Sequence, residues 1–196
     1  VTNRGVAKMP IFRDRHDMHE FLAKFRNYLS PQRYVDSSRR AYPKLGEQIS
    51  LLAYCLMPNH FHLVLHQHCE RGMHELMRRA PVAYSRYFNL RHRRDGPLFK
   101  ARYAAKPIET LEHAKSTLAY VHLNEPFQQL DYEYSTHGLY VARASRDWID
   151  VERGLGVFGG IEGYRSFLNR RGPGLVGDKL EELGLPRDHT PYRPIR

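Results

Sequence analysis

Residues 48–68 read QISLLAYCLMPNHFHLVLHQH, and the change of pattern inside this stretch decides the fold. From Gln48 to Met57 apolar residues occupy both parities, as in a strand buried on both faces, so a central strand is expected there. Pro58-Asn59 supplies a turn. From His60 to His68 the chain alternates: His60, His62, Val64, His66 and His68 share one parity, while Phe61, Leu63 and Leu65 share the other. The stretch therefore reads as a β-hairpin with one arm apolar throughout and the other carrying a row of histidines.

Outward from the hairpin the periodicity alternates between strand and helix. Upstream, Thr2 to Val6 is a candidate short strand, and Met18, Phe21, Leu22, Phe25 and Leu29 recur at helical spacing over Asp17 to Leu29, ended by Ser30-Pro31. Gln32 to Gly46 is polar and Arg-rich, and reads as a long exposed connection. Downstream, Met73, Leu76, Met77, Ala80, Tyr84 and Phe88 mark a helix over Gly72 to Arg91, with Pro81 as a kink or break. After Gly96-Pro97 an alternating run from Leu98 to Lys106 places Lys100, Arg102 and Lys106 on one parity. Thr110 is a suitable N-cap for a helix to about Asn124, with Leu111, Ala114, Leu118 and Val121 as its apolar stripe.

The order β-α-β-β-α-β-α predicts an α+β fold, an antiparallel sheet with helices packed on one face, opposite the histidine and basic parities. Past Pro126, short apolar groups separated by polar turns predict two or three small helices docked on the main body. Gly172 to Arg196 is rich in Gly and Pro and reads as an extended tail with a helical patch at Asp178 to Leu183. The expected organisation is a main domain over 1–130, a helical C-terminal extension over 131–170 and a Gly/Pro-rich tail over 171–196.

With 196 residues, 41% hydrophobic and 12% aromatic, the chain can build a packed core, which excludes wholesale disorder. Its two cysteines, Cys55 and Cys69, cannot form a disulfide framework, and its longest apolar run, Leu51 to Met57, is too short to cross a bilayer. With no leader-like segment ahead of the first element, a soluble cytoplasmic protein is expected. The net charge of +10 is concentrated: Arg71 to Lys106 holds ten basic residues against two acidic ones, a local +8. Tyr84, Tyr87, Phe88, Phe99 and Tyr103 are interleaved with them. Basic residues with stackable aromatics suit a nucleic-acid partner, and equally a solvated helix face.

Two constellations can carry chemistry. His60 and His62, one residue apart on a strand, project from one face close enough to share a metal through ring nitrogens; two histidines on an open sheet face would give the same pattern. Tyr120 and Asn124, four apart on a helix, share a face offset from the Leu118/Val121 stripe. A tyrosine hydroxyl can attack a phosphodiester and an asparagine oxygen can complete a hard-cation site, although an aromatic at Tyr120 also suits a core or rim position. Cys55, His60, His62 and Cys69 match no common zinc spacing. No Gly-rich phosphate loop or Ser-centred elbow is present.

Met57-Pro58-Asn59-His60-Phe61-His62-Leu63, Gly96-Pro97-Leu98-Phe99-Lys100-Ala101-Arg102-Tyr103 and Tyr120-Val121-His122-Leu123-Asn124 resemble, in order, the three signature blocks of single-tyrosine HUH transposases. Thr2-Asn3-Arg4-Gly5 resembles that family's first strand, and the nearest group is the repeat-associated tyrosine transposases that act on repetitive extragenic palindromes. The resemblance implies a ferredoxin-like or RRM-like sheet. It implies that His60, His62 and Asn124 are ligands of Mg²⁺ or Mn²⁺, and that Tyr120 is the nucleophile forming a 5′-phosphotyrosine on single-stranded DNA beside a hairpin. Arg4, Arg91, Arg93, Arg94, Lys100, Arg102 and Lys106 are then expected to bind the DNA, with the protein a nucleoid-associated monomer or homodimer. Two departures stand out: Glu125-Pro126-Phe127-Gln128-Gln129 replaces the Pro-Val-Arg-Ala-Gly that usually follows the asparagine, and residues 32–46 look like an insertion. The competing expectation is a non-catalytic DNA-hairpin-binding regulator derived from such an enzyme, followed by a zinc-supported structural module.

Overall fold

The structure is a computed structural model that describes residues 1–123 and 134–175, with side chains described as far as Arg170. Three antiparallel strands form its sheet in the order β1-β3-β2: β1 (Thr2–Arg4), β2 (Ile49–Met57) and β3 (His60–Gln67). The β2–β3 hairpin closes at Met57↔His60 and runs to Ile49↔Gln67, with a bulge between Leu51 and Ala53. On its other side β3 pairs with β1 from Thr2↔His62 to Arg4↔His60. The α+β class and the hairpin follow the sequence pattern, but the centre of the sheet is β3, and β2 lies at its edge.

An edge strand can be apolar on both parities only if something covers its open side, because unpaired backbone groups and apolar side chains would otherwise face water. The C-terminal segment does this. Cys55 makes a bridge to Ser135, Tyr54 N–H donates to Thr136 Oγ1, and Thr136 N–H donates back to the Tyr54 carbonyl. Farther along, Asp150 N–H bonds the Leu51 carbonyl and the Tyr140 hydroxyl donates to the Leu52 carbonyl. Trp148 stacks on Tyr54 with ring centroids 6.2 Å apart.

The alternating run at 98–106 does not form a regular strand. It meets β1's outer edge at Gly5↔Phe99 and Thr2↔Ala104, with Lys100 N–H bonded to the Arg4 carbonyl. The register slips by two residues between those bridges, and the Asn3 side chain bonds the Ala101 carbonyl where a ladder bond would otherwise fall. Lys100 and Arg102 are therefore separated from β3 by β1, instead of lying on the strand next to the histidines.

Helices α1 (Arg15–Leu29) and α2 (Gly72–Arg91) cover the face that bears Phe61. Asp14 caps α1 by accepting from Asp17 N–H, and Phe21 packs its ring against Phe25, Phe61 and Tyr84 at centroid distances of 4.9 to 5.1 Å. Helix α2 continues through Pro81, burying Leu76, Ala80, Tyr84 and Phe88. Helix α3 (Leu111–Leu123), its first turn capped by Thr110 Oγ1 accepting from His113 N–H, crosses to the histidine face. Three further helices, α4 (His137–Ala142), α5 (Val151–Gly156) and α6 (Ile161–Leu175), dock beside β2 and α3. Gly154 is required where α5 touches Tyr140, since a Cβ there would collide with the tyrosine hydroxyl. Helix α6 carries regular structure past Gly172, where the tail was expected to begin; the patch at 178–183 lies outside the described residues. Among the described residues, no helix is long and apolar enough to cross a membrane.

Candidate active site

The pleat of β3 sends Phe61 into the α1/α2 core and His60 and His62 to the opposite face, where α3 covers them. The two imidazoles meet edge to face with centroids 5.0 Å apart. They are buried, His60 at 7% and His62 at 3% relative exposure, so the open histidine face allowed by the sequence is not what forms. His60 Nδ1 lies 2.7 Å from the Asn59 side-chain oxygen. An amide oxygen only accepts, so Nδ1 donates in this contact and carries a proton. Asn59, read from sequence only as a turn residue, thus orients the His60 ring.

His62 Nε2 is buried and has no hydrogen-bond partner among the described residues. Burial, and then the neighbouring His60, push the His62 pKa well below the ordinary imidazole value. It is neutral at physiological pH, the form in which imidazole donates a lone pair to a metal. From α3, the Tyr120 ring lies 5.6 Å from His62 at 86°, and the residue is 4% exposed. The strand thus brings together both proposed ligands, and the helix adds the proposed nucleophile. Asn124 falls outside the described residues. Among the described residues no group of three His, Cys, Asp or Glu side chains could hold a metal, so the two imidazoles provide only part of a ligand set. The neutral state of His62 and its orphaned nitrogen fit a cation.

The basic residues divide into two sets. Arg4 pairs with His60 in register and acts electrostatically on His62, which places it beside the site. Lys100, Arg102 and Lys106 are exposed along β1's outer edge, and among the described residues none is paired with a carboxylate. Arg93 is exposed at a left-handed backbone position just past α2. Arg91 and Arg94, also expected to bind DNA, are engaged within the protein. Arg91 bonds both Asp14 (2.7 Å) and the fully buried Asp17, which also accepts from His92 and Tyr87. Arg94 bonds the Asn89 side chain and the Pro97 carbonyl, fixing the turn after α2. Beside His62 a cavity of about 990 Å³ opens between β3, α3 and residues 104–111, with Val64, Leu118, Val121 and Lys106 in its walls.

Sequence periodicity gave no sign of the polar chain that ties α3 to the C-terminal helices. His122 Nε2 lies 2.9 Å from Thr136 Oγ1, its Nδ1 lies 2.7 Å from the Tyr164 hydroxyl, and that hydroxyl lies 2.7 Å from His137 Nδ1. His122 sits between Tyr120 and Asn124 in sequence and faces away from the histidine pair, toward α4 and α6.

Residues 42–124 match the family model of the IS200-like transposases. The matched span begins ahead of β2, takes in both histidines and α2, and closes on the segment from Tyr120 to Asn124, so this similarity covers the proposed site. β1, α1 and the C-terminal helices lie outside the similarity to IS200-like transposases. No curated protein and no solved structure matches the chain significantly.

Proposed function

We propose that the chain is a transposase that cuts and rejoins single-stranded DNA next to hairpins, of the kind formed by repetitive palindromes, with Tyr120 as nucleophile. The observation that carries this is the meeting of His60, His62 and Tyr120 on one buried sheet face, inside the span similar to IS200-like transposases. Tyr120 Oη would form a bond to the scissile phosphorus as the P–O3′ bond breaks, giving a 5′-phosphotyrosine. The phenolic proton is lost and the departing 3′ oxygen gains one. Reversal by a 3′-hydroxyl would rejoin strands. An unperturbed tyrosine, with pKa about 10, is a weak nucleophile at neutral pH. His60, His62 and Asn124 would hold Mg²⁺ or Mn²⁺, which when bound supplies stabilisation of the charge that develops on the phosphate. Arg4, Lys100, Arg102 and Lys106 would contact the backbone of the entering strand.

The test is incubation of labelled hairpin DNA with the protein and Mg²⁺, followed by a denaturing gel. The native chain is expected to give a covalent adduct. Tyr120→Phe, which deletes one oxygen and no charge, is expected to abolish the adduct while leaving binding within about two-fold. An adduct that survives in Tyr120→Phe removes Tyr120 from the mechanism; binding with no adduct from the native chain favours the non-catalytic hairpin-binding regulator.

A further inference from the structure

The stretch between α1 and β2 has a definite shape. Val35 and Ala41 form an antiparallel bridge, Tyr42 N–H bonds the Tyr34 carbonyl, and Asp36 N–H bonds the Arg40 carbonyl. Asp36 Oδ1 accepts from Ser38 N–H and Arg40 N–H, and Arg39 takes a left-handed backbone conformation, φ 60°, to close the turn. Residues 34–42 are therefore a tight two-stranded ribbon. Its root is pinned to the end of α1: Tyr42 packs edge-on against Tyr28 at 5.1 Å, Arg26 lies over the Tyr34 ring at 5.4 Å, and Leu45 N–H bonds the Tyr28 carbonyl.

Arg39 and Arg40 stand exposed at the ribbon's tip, with Arg33 and Lys44 exposed along its base. Among the described residues no carboxylate pairs with any of the four, and the one acidic side chain of the ribbon, Asp36, is engaged with the turn. Arg78 and Arg79 of α2 lie near the root, where both act electrostatically on Tyr28. A two-stranded ribbon with exposed, uncompensated positive charge at its tip suits a polyanion of matching shape.

We propose that this ribbon is a docking element for duplex DNA, entering the major groove with Arg39 and Arg40 on the phosphates. Three features choose duplex over other polyanions. The major groove, about 12 Å wide, admits a two-stranded ribbon. Single-strand binding needs aromatic platforms for unstacked bases, and the ribbon's Tyr34 and Tyr42 are already occupied by Arg26 and Tyr28. The tip carries no large apolar side chain to insert into a lipid surface. The ribbon leaves the sheet at the Ile49 end of β2, whereas Cys55, paired with His62, lies six residues on, about 20 Å at about 3.3 Å per residue. The duplex contact is thus distinct from the candidate active site. The inference rests on the proposed DNA-processing function for its partner, and assigns to the ribbon the stem beside which the single strand would be cut.

The experiment uses the full chain and the double variant Arg39→Asn/Arg40→Ser, the asparagine chosen because it tolerates a left-handed backbone. Affinity is measured by fluorescence anisotropy on a blunt duplex and on an unstructured single strand over a salt series, with near-UV circular dichroism as the check on folding. The variant is expected to bind duplex about ten-fold more weakly, with a salt slope smaller by roughly 1.8 for two lost phosphates, and to bind single strand unchanged. Unchanged duplex binding, equal losses on both DNAs, or polyglutamate competing as well as duplex at equal charge would each overturn the proposal. The two readings fail separately: a missing Tyr120 adduct leaves the duplex result standing, and an unaltered duplex affinity leaves the adduct chemistry standing.

Discussion

A buried nitrogen with no hydrogen-bond partner costs a fold about 1–3 kcal/mol, and His62 Nε2 is such an atom among the described residues. If its place is kept for a ligand, removing it should stabilise the protein while destroying its chemistry. His62→Leu, similar in volume and apolar, is expected to raise unfolding stability by about 1 kcal/mol in urea denaturation without added metal, and to give no covalent adduct with hairpin DNA. A loss of stability would show that the imidazole serves the core. At this scale the sequence marked His60, His62 and Tyr120 because their spacing on strand and helix is local, and local spacing survives folding. It could not distinguish Arg91 from Lys100, because the partner that occupies Arg91, Asp17, lies 74 residues away. Charge density in a sequence does not say which cations are already paired.

The elements were legible wherever one period ran long enough. Residues 72–91 form one helix over the span their apolar stripe predicts, and β2 and β3 begin and end within one residue of the pattern. What the pattern could not give was the order of strands, since a strand roofed by another segment reads like a central one. The link from α3 to α4 and α6 was invisible for the same reason. It joins His122 to Thr136 and Tyr164, fully buried and without apolar periodicity. Burial, and then His137, lower the His122 pKa to about 3, so the ring stays neutral in the fold while an unfolded chain takes up a proton below about pH 6.5. The unfolded state then binds more protons between those values. The stability contributed by neutral His122 is complete above pH 6.5 and is lost as pH falls toward 3, on the order of 5 kcal/mol in all. Urea midpoints measured from pH 7.5 to 4.5 should fall for the native chain and fall less for His122→Gln, which keeps hydrogen bonding without titrating. Parallel curves would remove His122 as the source of the acid sensitivity.

At the scale of the molecule, the main domain and the helical extension expected from sequence share one core among the described residues. The change of composition after Pro126 marks where helices shorten, but composition does not report what a segment covers. Tyr140, Trp148, Tyr164 and Phe167 are buried together with β2, whose Leu51, Leu52, Tyr54 and Cys55 depend on them for shelter. Burying each large apolar side chain contributes about 1.5–3 kcal/mol, so several lost at once rival the 5–15 kcal/mol that holds a typical domain folded. The edge they leave behind would also be an apolar strand with unpaired backbone groups, a template for pairing between copies. A chain ended at residue 130 is therefore expected to lose its near-UV circular dichroism, bind a hydrophobic dye and aggregate, although the whole span similar to IS200-like transposases remains in it. A monomeric, cooperatively folding fragment would show instead that β1–β3 and α1–α3 suffice as a domain and that the C-terminal helices are an accessory. Adding Tyr54→Thr and Leu52→Thr to the truncated chain separates the two causes: if edge pairing drives the aggregation, these variants should restore solubility without restoring the near-UV signal, because the missing packing is not replaced.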